Sequence, residues 1–243
     1  MRLADLSWPE IGQRAAAGAV LAVPVGSTEQ HGPHLPLSTD TDLAVALCAG
    51  LAESCPGVVV APPVAYGSSG EHQDFAGTLS IGQDALELLL VELCRSATRT
   101  FSRVLLVSTH GGNTATVRRA EQRMVGESRD VRAWLATWRG DAHAGRTETS
   151  LQLALAPGLV RLDRAAKGDT RPIAELMPAL RASSVRAVSA NGVLGDPAGA
   201  SAAEGAALLR GLLDDLLGTV TDWTAQSAGG RQSAASGRAG DKS

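Results

Sequence analysis

Two histidines, a glutamate and an aspartate fall within EQHGPHLPLSTD, residues 29–40, of a chain that has only 5 histidines in all. Imidazole beside carboxylate, with no paired thiolates, is a donor set for divalent zinc, manganese, iron or cobalt. Two histidines among several acids suit one such ion or two, because a shared carboxylate lets two cations sit about 3.5 Å apart with their repulsion offset. Glu29 and His31 are separated by one position, so both can face a metal only where the backbone is irregular, which Gly32 and Pro33 encourage. Asp40 lies where a helix should begin and has a competing task as N-cap or first-turn acid, with Ser38 and Thr39 also able to cap. Asp42 stands two residues further on, in reserve.

Three more stretches have the same character. In GSSGEHQDFAGT (67–78), His72 sits in a Gly/Ser loop of the sort that lines a substrate pocket, while Glu71 reads equally as an exposed loop acid. In HGGN (110–113), His110 is followed by Gly111, Gly112 and Asn113, whose amides at a helix start could hold a carboxylate or an oxyanion; the plainer alternative is a tight turn with an Asn cap. In DAHAGRTETS (141–150), Glu148 could reach a metal while His143 stays free to carry a proton, with Thr147 and Thr149 capping locally. His34 reads as a structural group or a partner that orients a ligand.

Elements that would gather these stretches are legible in the periodicity. AVLAVPVG (19–26) and RVLLVST (103–109) are short, continuous and β-branched, the pattern of strands buried on both faces. VVVAPPVAYG (58–67) reads as an edge strand or one that frays early, because of its prolines, and VRAWLATW (131–138) as a fourth strand. Helices fit after Ser7, then 41–54, 82–99, 113–126 and 147–157; 172–182 is weak, and DPAGASAAEG (196–205) opens a loop that becomes a long terminal helix. The alternation predicts an α/β class, a three-layer α/β/α sandwich with a mainly parallel sheet. Every strand runs directly into one of the four polar stretches, and all 5 histidines lie in them. In an open parallel sheet those loops meet along the carboxyl edge, where such folds bind ligands.

A length of 243 residues with 44% hydrophobic content accommodates one large domain, read as 1–224, with a small, polar tail from about Ala225 to Ser243 that composition assigns to disorder. The net charge of −3 gives no footprint for nucleic acid or an anionic membrane. No segment has the length and apolarity of a membrane span or a signal peptide. The 3 cysteines, odd in number and without CxxC spacing, read as reduced packing residues, hence a cytoplasmic home.

In this order, GSTEQHGPHLPLSTD, HGGN and DAHAGRTETS resemble the creatininase family of metal-dependent amidohydrolases, over roughly residues 3–220. The resemblance implies a creatininase-like fold, two divalent metals per subunit (Zn, Fe or Mn) and a homo-oligomer, commonly a hexamer. It makes Glu29 and His31 ligands of different metals, Asp40 the bridge, His110 a further ligand, and His143 the group that passes a proton to the leaving nitrogen. Creatinine-hydrolysing members carry a metal-binding glutamate where this chain has Gly112, which leaves Glu148 as the natural replacement. The implied reaction is hydrolysis of a C–N amide bond. The wording of the motifs is most similar to members that trim a modified precursor peptide, releasing a C-terminal dipeptide derived from valine and tyrosine; a cyclic amide or a formamide is the alternative substrate, and a non-catalytic metal-binding scaffold the contrasting class.

Overall fold

The apolar runs become four strands: β1 (Val20–Val25), β2 (Val58–Val60), β3 (Arg103–Ser108) and β4 (Val131–Leu135). They form one sheet in the order β2-β1-β3-β4, and every neighbouring pair is parallel. The computed structural model describes residues 1–236. All six residues of β1 and of β3, the two central strands, are buried, as the apolar runs that make up β1 and the Val104–Val107 centre of β3 require. At the edge, β2 stops after Val60: Pro62 and Pro63 have no N–H to give a ladder, and only Val64 rejoins, through a single bridge to Val25.

Successive strand residues point to opposite faces, so each strand feeds two cores. Leu21, Val23, Val104 and Leu106 pack on one face against α3 (Gly82–Ala97) and α4 (Thr114–Gly126), with α1 (Trp8–Ala16) alongside through Ile11 and Ala15. Ala22, Leu105, Val107 and Trp134 pack on the other against α2 (Thr39–Ser54), α5 (Arg146–Leu155) and α8 (Ala202–Ser236). Two helical layers around a parallel sheet are the expected α/β/α sandwich. Each fully buried leucine here contributes about 1.5–3 kcal/mol of transfer free energy, which is what commits the strands to the middle layer.

The start of α1 follows its sequence signal, since the Ser7 N–H donates to Glu10 Oε2 at 2.7 Å. The weak stretch at 172–182 does form a helix, α6 (Ile173–Ala182), followed by the single turn α7 (Val185–Val188). The terminal helix α8 runs to Ser236, past the Ala225 at which composition starts the tail. The rest of that tail, 237–243, lies outside the described residues. All three cysteines are free thiols, Cys48 and Cys94 buried. Among the described residues no helix is long and apolar enough to cross a membrane.

The chain leaves β1 through α2 to reach β2 on one side, whereas it leaves β3 through α4 to reach β4 on the other. The loops after β1 and β3 therefore diverge, and the crevice at their carboxyl ends is where a doubly wound sheet takes its ligand.

Candidate metal centre

That crevice holds the residues singled out by type and spacing. Gly32 adopts φ +63°, the left-handed bend that lets the chain turn back immediately after His31. Behind the bend, the Glu29, His31 and Asp40 side chains converge, with His31 Nε2 3.6 Å from Asp40 Oδ1 and 4.0 Å from Glu29 Oε1. From the end of β3, His110 brings Nε2 to 3.2 Å from Glu29 Oε2 and Nδ1 to 3.2 Å from Asp40 Oδ2. From the start of α5, Glu148 Oε2 comes to 3.9 Å from His31 Nε2. Ala144 sits at φ +52°, uncommon for a residue with a Cβ, and so aims its N–H at Glu148 Oε2, 2.6 Å away.

Asp40 does not cap α2, whose N-cap position is Ser38. Its carboxylate instead accepts a bond from Ser27 Oγ at 2.6 Å and looks at both His31 and His110. Asp42 is not in the cluster; it accepts from Ser38 Oγ at 2.8 Å and from Gln152 Nε2 at 3.3 Å.

Two ligand atoms on one cation, each about 2.0–2.2 Å from it, stand roughly 3–3.5 Å apart. The separations here are near that value, and Glu29–Asp40–His110 and His31–Asp40–Glu148 each form a buried group able to hold an ion, with Asp40 common to both. Both Glu29 oxygens and His31 Nε2 are buried without a hydrogen-bond partner. Such orphaned atoms are costly unless something unlike a protein donor satisfies them, so the residues fit divalent cations well. Burial pushes Glu29 up to about 7 and also raises Glu148. Burial acts upward on Asp40 too, but His31 and His110 hold it well below the usual carboxylate range. Against their own burial, which acts downward, the neighbouring carboxylates lift His31 and His110 to about 10.

A pH dependence follows. Near neutral pH both imidazoles are protonated without metal, and Glu29 and Glu148 are raised as well, so metal uptake releases at least about two protons and affinity climbs as pH rises. Titration calorimetry in buffers of differing ionisation enthalpy measures that number; a value near zero would contradict this ligand set.

His143 Nε2–H donates to the Gln30 carbonyl at 2.8 Å. The hydrogens of Gln30 Nε2 are directed to His72 Nδ1 at 2.8 Å and Gly192 O at 3.1 Å, which assigns the proton between the two residues to His143 Nε2. His143 Nδ1 is then a free lone pair, 3.8 Å from Glu29 Oε1 and 4.0 Å from Glu148 Oε2. Burial, helped by His31, holds His143 well below the usual imidazole range, so it is neutral and able to take a proton. By position it could also join Glu29 and His31 as a ligand.

His72 is inside this cluster rather than on a loose rim, with Nε2 3.5 Å from Glu29 Oε1. His34 faces away, its Nε2 2.9 Å from Thr149 Oγ1, as suits a structural histidine. Asn113, expected to bind substrate, is fully buried, its Oδ1 accepting from Ser68 N at 2.9 Å and its Nδ2 donating to Gly26 O at 2.9 Å, so that it ties three loops together. Gln30 and Ser27 carried no sequence signal of their own, although Gln30 stands between two candidate ligands.

Gly112 is glycine for want of space. A Cβ there would meet His110 Nε2 and the Ser68 carbonyl at 2.5 Å, and Glu71 Oε1 at 2.8 Å. The carboxylate beside Gly112 is that of Glu71, while Glu148 lies with His31 and Asp40. Gly112→Ala should displace the His110 ring and weaken metal retention at least about tenfold, the size of effect seen when a ligand loses its orientation; unchanged metal content after dialysis would contradict it. A cavity of about 460 Å³ beside β4, lined by Arg118, Arg132 and Asp215 among others, includes none of these groups.

The family model described as creatinine amidohydrolase matches residues 4–220. The chain is 45% identical over 232 residues to the mycofactocin precursor peptide peptidase of Mycobacterium ulcerans (strain Agy99), covering 91% of this chain and 92% of that one. It is 48% identical over 211 residues to the protein of that name from Mycolicibacterium smegmatis (84% and 85% covered), and 32% identical over 192 residues to the creatinine amidohydrolase of Pseudomonas putida (66% and 74%). Among solved structures, creatinine amidohydrolase (creatininase) superposes with a TM-score of 0.78 at 26% identity, covering 91% of this chain and 96% of that one. A structure described as creatininase Mn gives 0.78 at 27% identity, with 91% and 97% covered.

Proposed function

Because this chain belongs to the creatininase family, we propose that its hydrolytic centre is that of a peptidase acting on the mycofactocin precursor peptide, releasing the C-terminal dipeptide derived from valine and tyrosine. The observation that carries this reading is the 45–48% identity, over most of the chain, to relatives of that name, against 32% to a creatinine amidohydrolase. The absence of a glutamate at Gly112, where creatinine-hydrolysing members carry one, points the same way.

Two ions per subunit, zinc, iron or manganese, are the cofactors we assign. Glu29, Asp40 and His110 would hold one, and His31, Asp40 and Glu148 the other. Divalent ions supply Lewis acidity, which acidifies water and polarises an amide carbonyl. The chain does the rest. Asp40 spaces the two ligand groups, and the seven buried polar side chains of the cluster exclude bulk solvent, which strengthens every interaction with developing charge. His143, oriented by the Gln30 carbonyl, takes a proton at Nδ1 and delivers it to the departing amine nitrogen. Gly111, exposed at the turn leading into α4, offers an amide to the substrate oxyanion or to a carboxylate.

We place residues 1–224 in one catalytic domain, in the cytoplasm, and expect a homo-oligomer, a hexamer by family resemblance. The direct test incubates metal-loaded protein with the matured precursor peptide and follows mass. Loss of a C-terminal dipeptide is expected; turnover of creatinine or a formamide without peptide cleavage would replace this reading by a small-amide hydrolase.

A further inference from the structure

Gln30 stands between two candidate ligands and uses every polar group it has. Its backbone N–H donates to Thr78 Oγ1 at 3.1 Å, and its carbonyl accepts from His143 Nε2 at 2.8 Å. The buried side chain accepts at Oε1 from the Gly32 N–H at 2.8 Å, and donates from Nε2 to the Gly192 carbonyl at 3.1 Å and to His72 Nδ1 at 2.8 Å.

Two backbone groups fix which end of that amide is which. The Gly32 N–H can only donate and the Gly192 carbonyl only accept, so the reverse orientation would set donor against donor and acceptor against acceptor. Close approach of the Gly192 loop depends on glycine, since at φ +79° a Cβ there would stand 2.1 Å from Gln30 Oε1. The amide nitrogen therefore faces His72 and donates to its Nδ1, which leaves that ring protonated at Nε2. The Nε2–H is turned to Glu29, with Nε2 3.5 Å from Oε1, an oxygen buried without a hydrogen-bond partner.

We infer that Gln30 is a positioning residue that sorts His72 and His143 into opposite roles. Both rings carry their proton on Nε2, yet they turn opposite edges to the metal centre. His143, held by the Gln30 carbonyl, presents the Nδ1 lone pair, 3.8 Å from Glu29 Oε1. His72, held by the Gln30 amide, presents Nε2–H and is thereby kept from ligating a cation. With ring centroids 4.5 Å apart, the two set a hydrogen-bond donor beside a proton acceptor. Amide hydrolysis uses both, the donor where negative charge gathers and the acceptor where a proton moves to nitrogen. The inference rests on the hydrolytic reading of this centre and deepens it: His31 and His110 are left to ligate, and Gln30 determines what the other two histidines do.

The test is NMR of the histidine ring nitrogens in the full-length, zinc-loaded protein, which reads tautomers directly. In wild type, His72 should carry its proton on Nε2 and none on Nδ1. In Gln30→Glu, whose carboxylate can only accept, that proton should move to Nδ1, and kcat for peptide cleavage should fall about 10- to 100-fold with zinc content unchanged. A wild-type His72 protonated on Nδ1, or bound to zinc through Nε2, would overturn the assignment, as would either the wild-type tautomer or the wild-type rate in Gln30→Glu. The wild-type spectrum decides the first point even if the variant does not fold. Tautomers are read without turnover, so the expected spectra from a protein that hydrolyses no amide would defeat the hydrolytic reading while the positioning role of Gln30 stands.

Discussion

Asp40→Asn is expected to strip both ions from the protein and to lower kcat/KM by at least about a thousandfold, the largest effect of any single substitution in the site. Asp40 is the one residue common to the Glu29–His110 and His31–Glu148 groups, and its two oxygens look in different directions, Oδ1 toward His31 at 3.6 Å and Oδ2 toward His110 at 3.2 Å. Asparagine keeps the size and can still accept from Ser27 Oγ, so folding should survive. It removes the negative charge that offsets two cations and replaces one ligating oxygen by a nitrogen that cannot donate a lone pair. Metal affinity should fall by more than about 100-fold at both positions, beyond the 10–100-fold cost of losing an outer partner. Glu148→Gln provides the contrast, because Glu148 belongs to one group only: one ion should be lost and one kept. Elemental analysis after dialysis reads both results, and an Asp40→Asn protein that retains two ions would show that the carboxylate is no bridge.

His143→Ala should cut kcat by about 10²- to 10⁴-fold while leaving both ions bound. The imidazole is buried and neutral, its Nε2–H fixed on the Gln30 carbonyl and its Nδ1 turned toward the cluster. A group in that state can accept a proton and pass it on, a function that alanine cannot reproduce and solvent reaches poorly. Loss of rate with full metal content separates this role from that of a ligand. Loss of one ion along with the rate would instead make His143 a ligand of the Glu29–His31 group, and undiminished turnover would remove it from the reaction.

The strands were readable because they rest on a local rule. Val20–Val25 and the Val104–Val107 centre of β3 are apolar runs, which only a sheet covered on both faces can use, and two parallel central strands put the following loops at one edge. Confinement of all five histidines to those loops pointed to that edge as the candidate site. Less legible were features decided by tertiary space. Asn113 looks like a ligand-facing amide in HGGN, yet its two ends are consumed by Ser68 and Gly26, partners 45 and 87 residues away. Gly112 resembles a turn glycine, but it is excluded from having a side chain by His110, Ser68 and Glu71, two of which come from another loop. Gln30 is an ordinary polar residue until the fold brings His72, His143 and Gly192 around it.

Anomalous diffraction from crystals of the metal-loaded protein, recorded at the absorption edge of the bound metal, tests the central claim most directly. Two peaks about 3.5 Å apart are expected, one within bonding distance of Glu29, Asp40 and His110, the other of His31, Asp40 and Glu148, with the Asp40 carboxylate between them. A single peak, or peaks bound by other residues, would contradict the account.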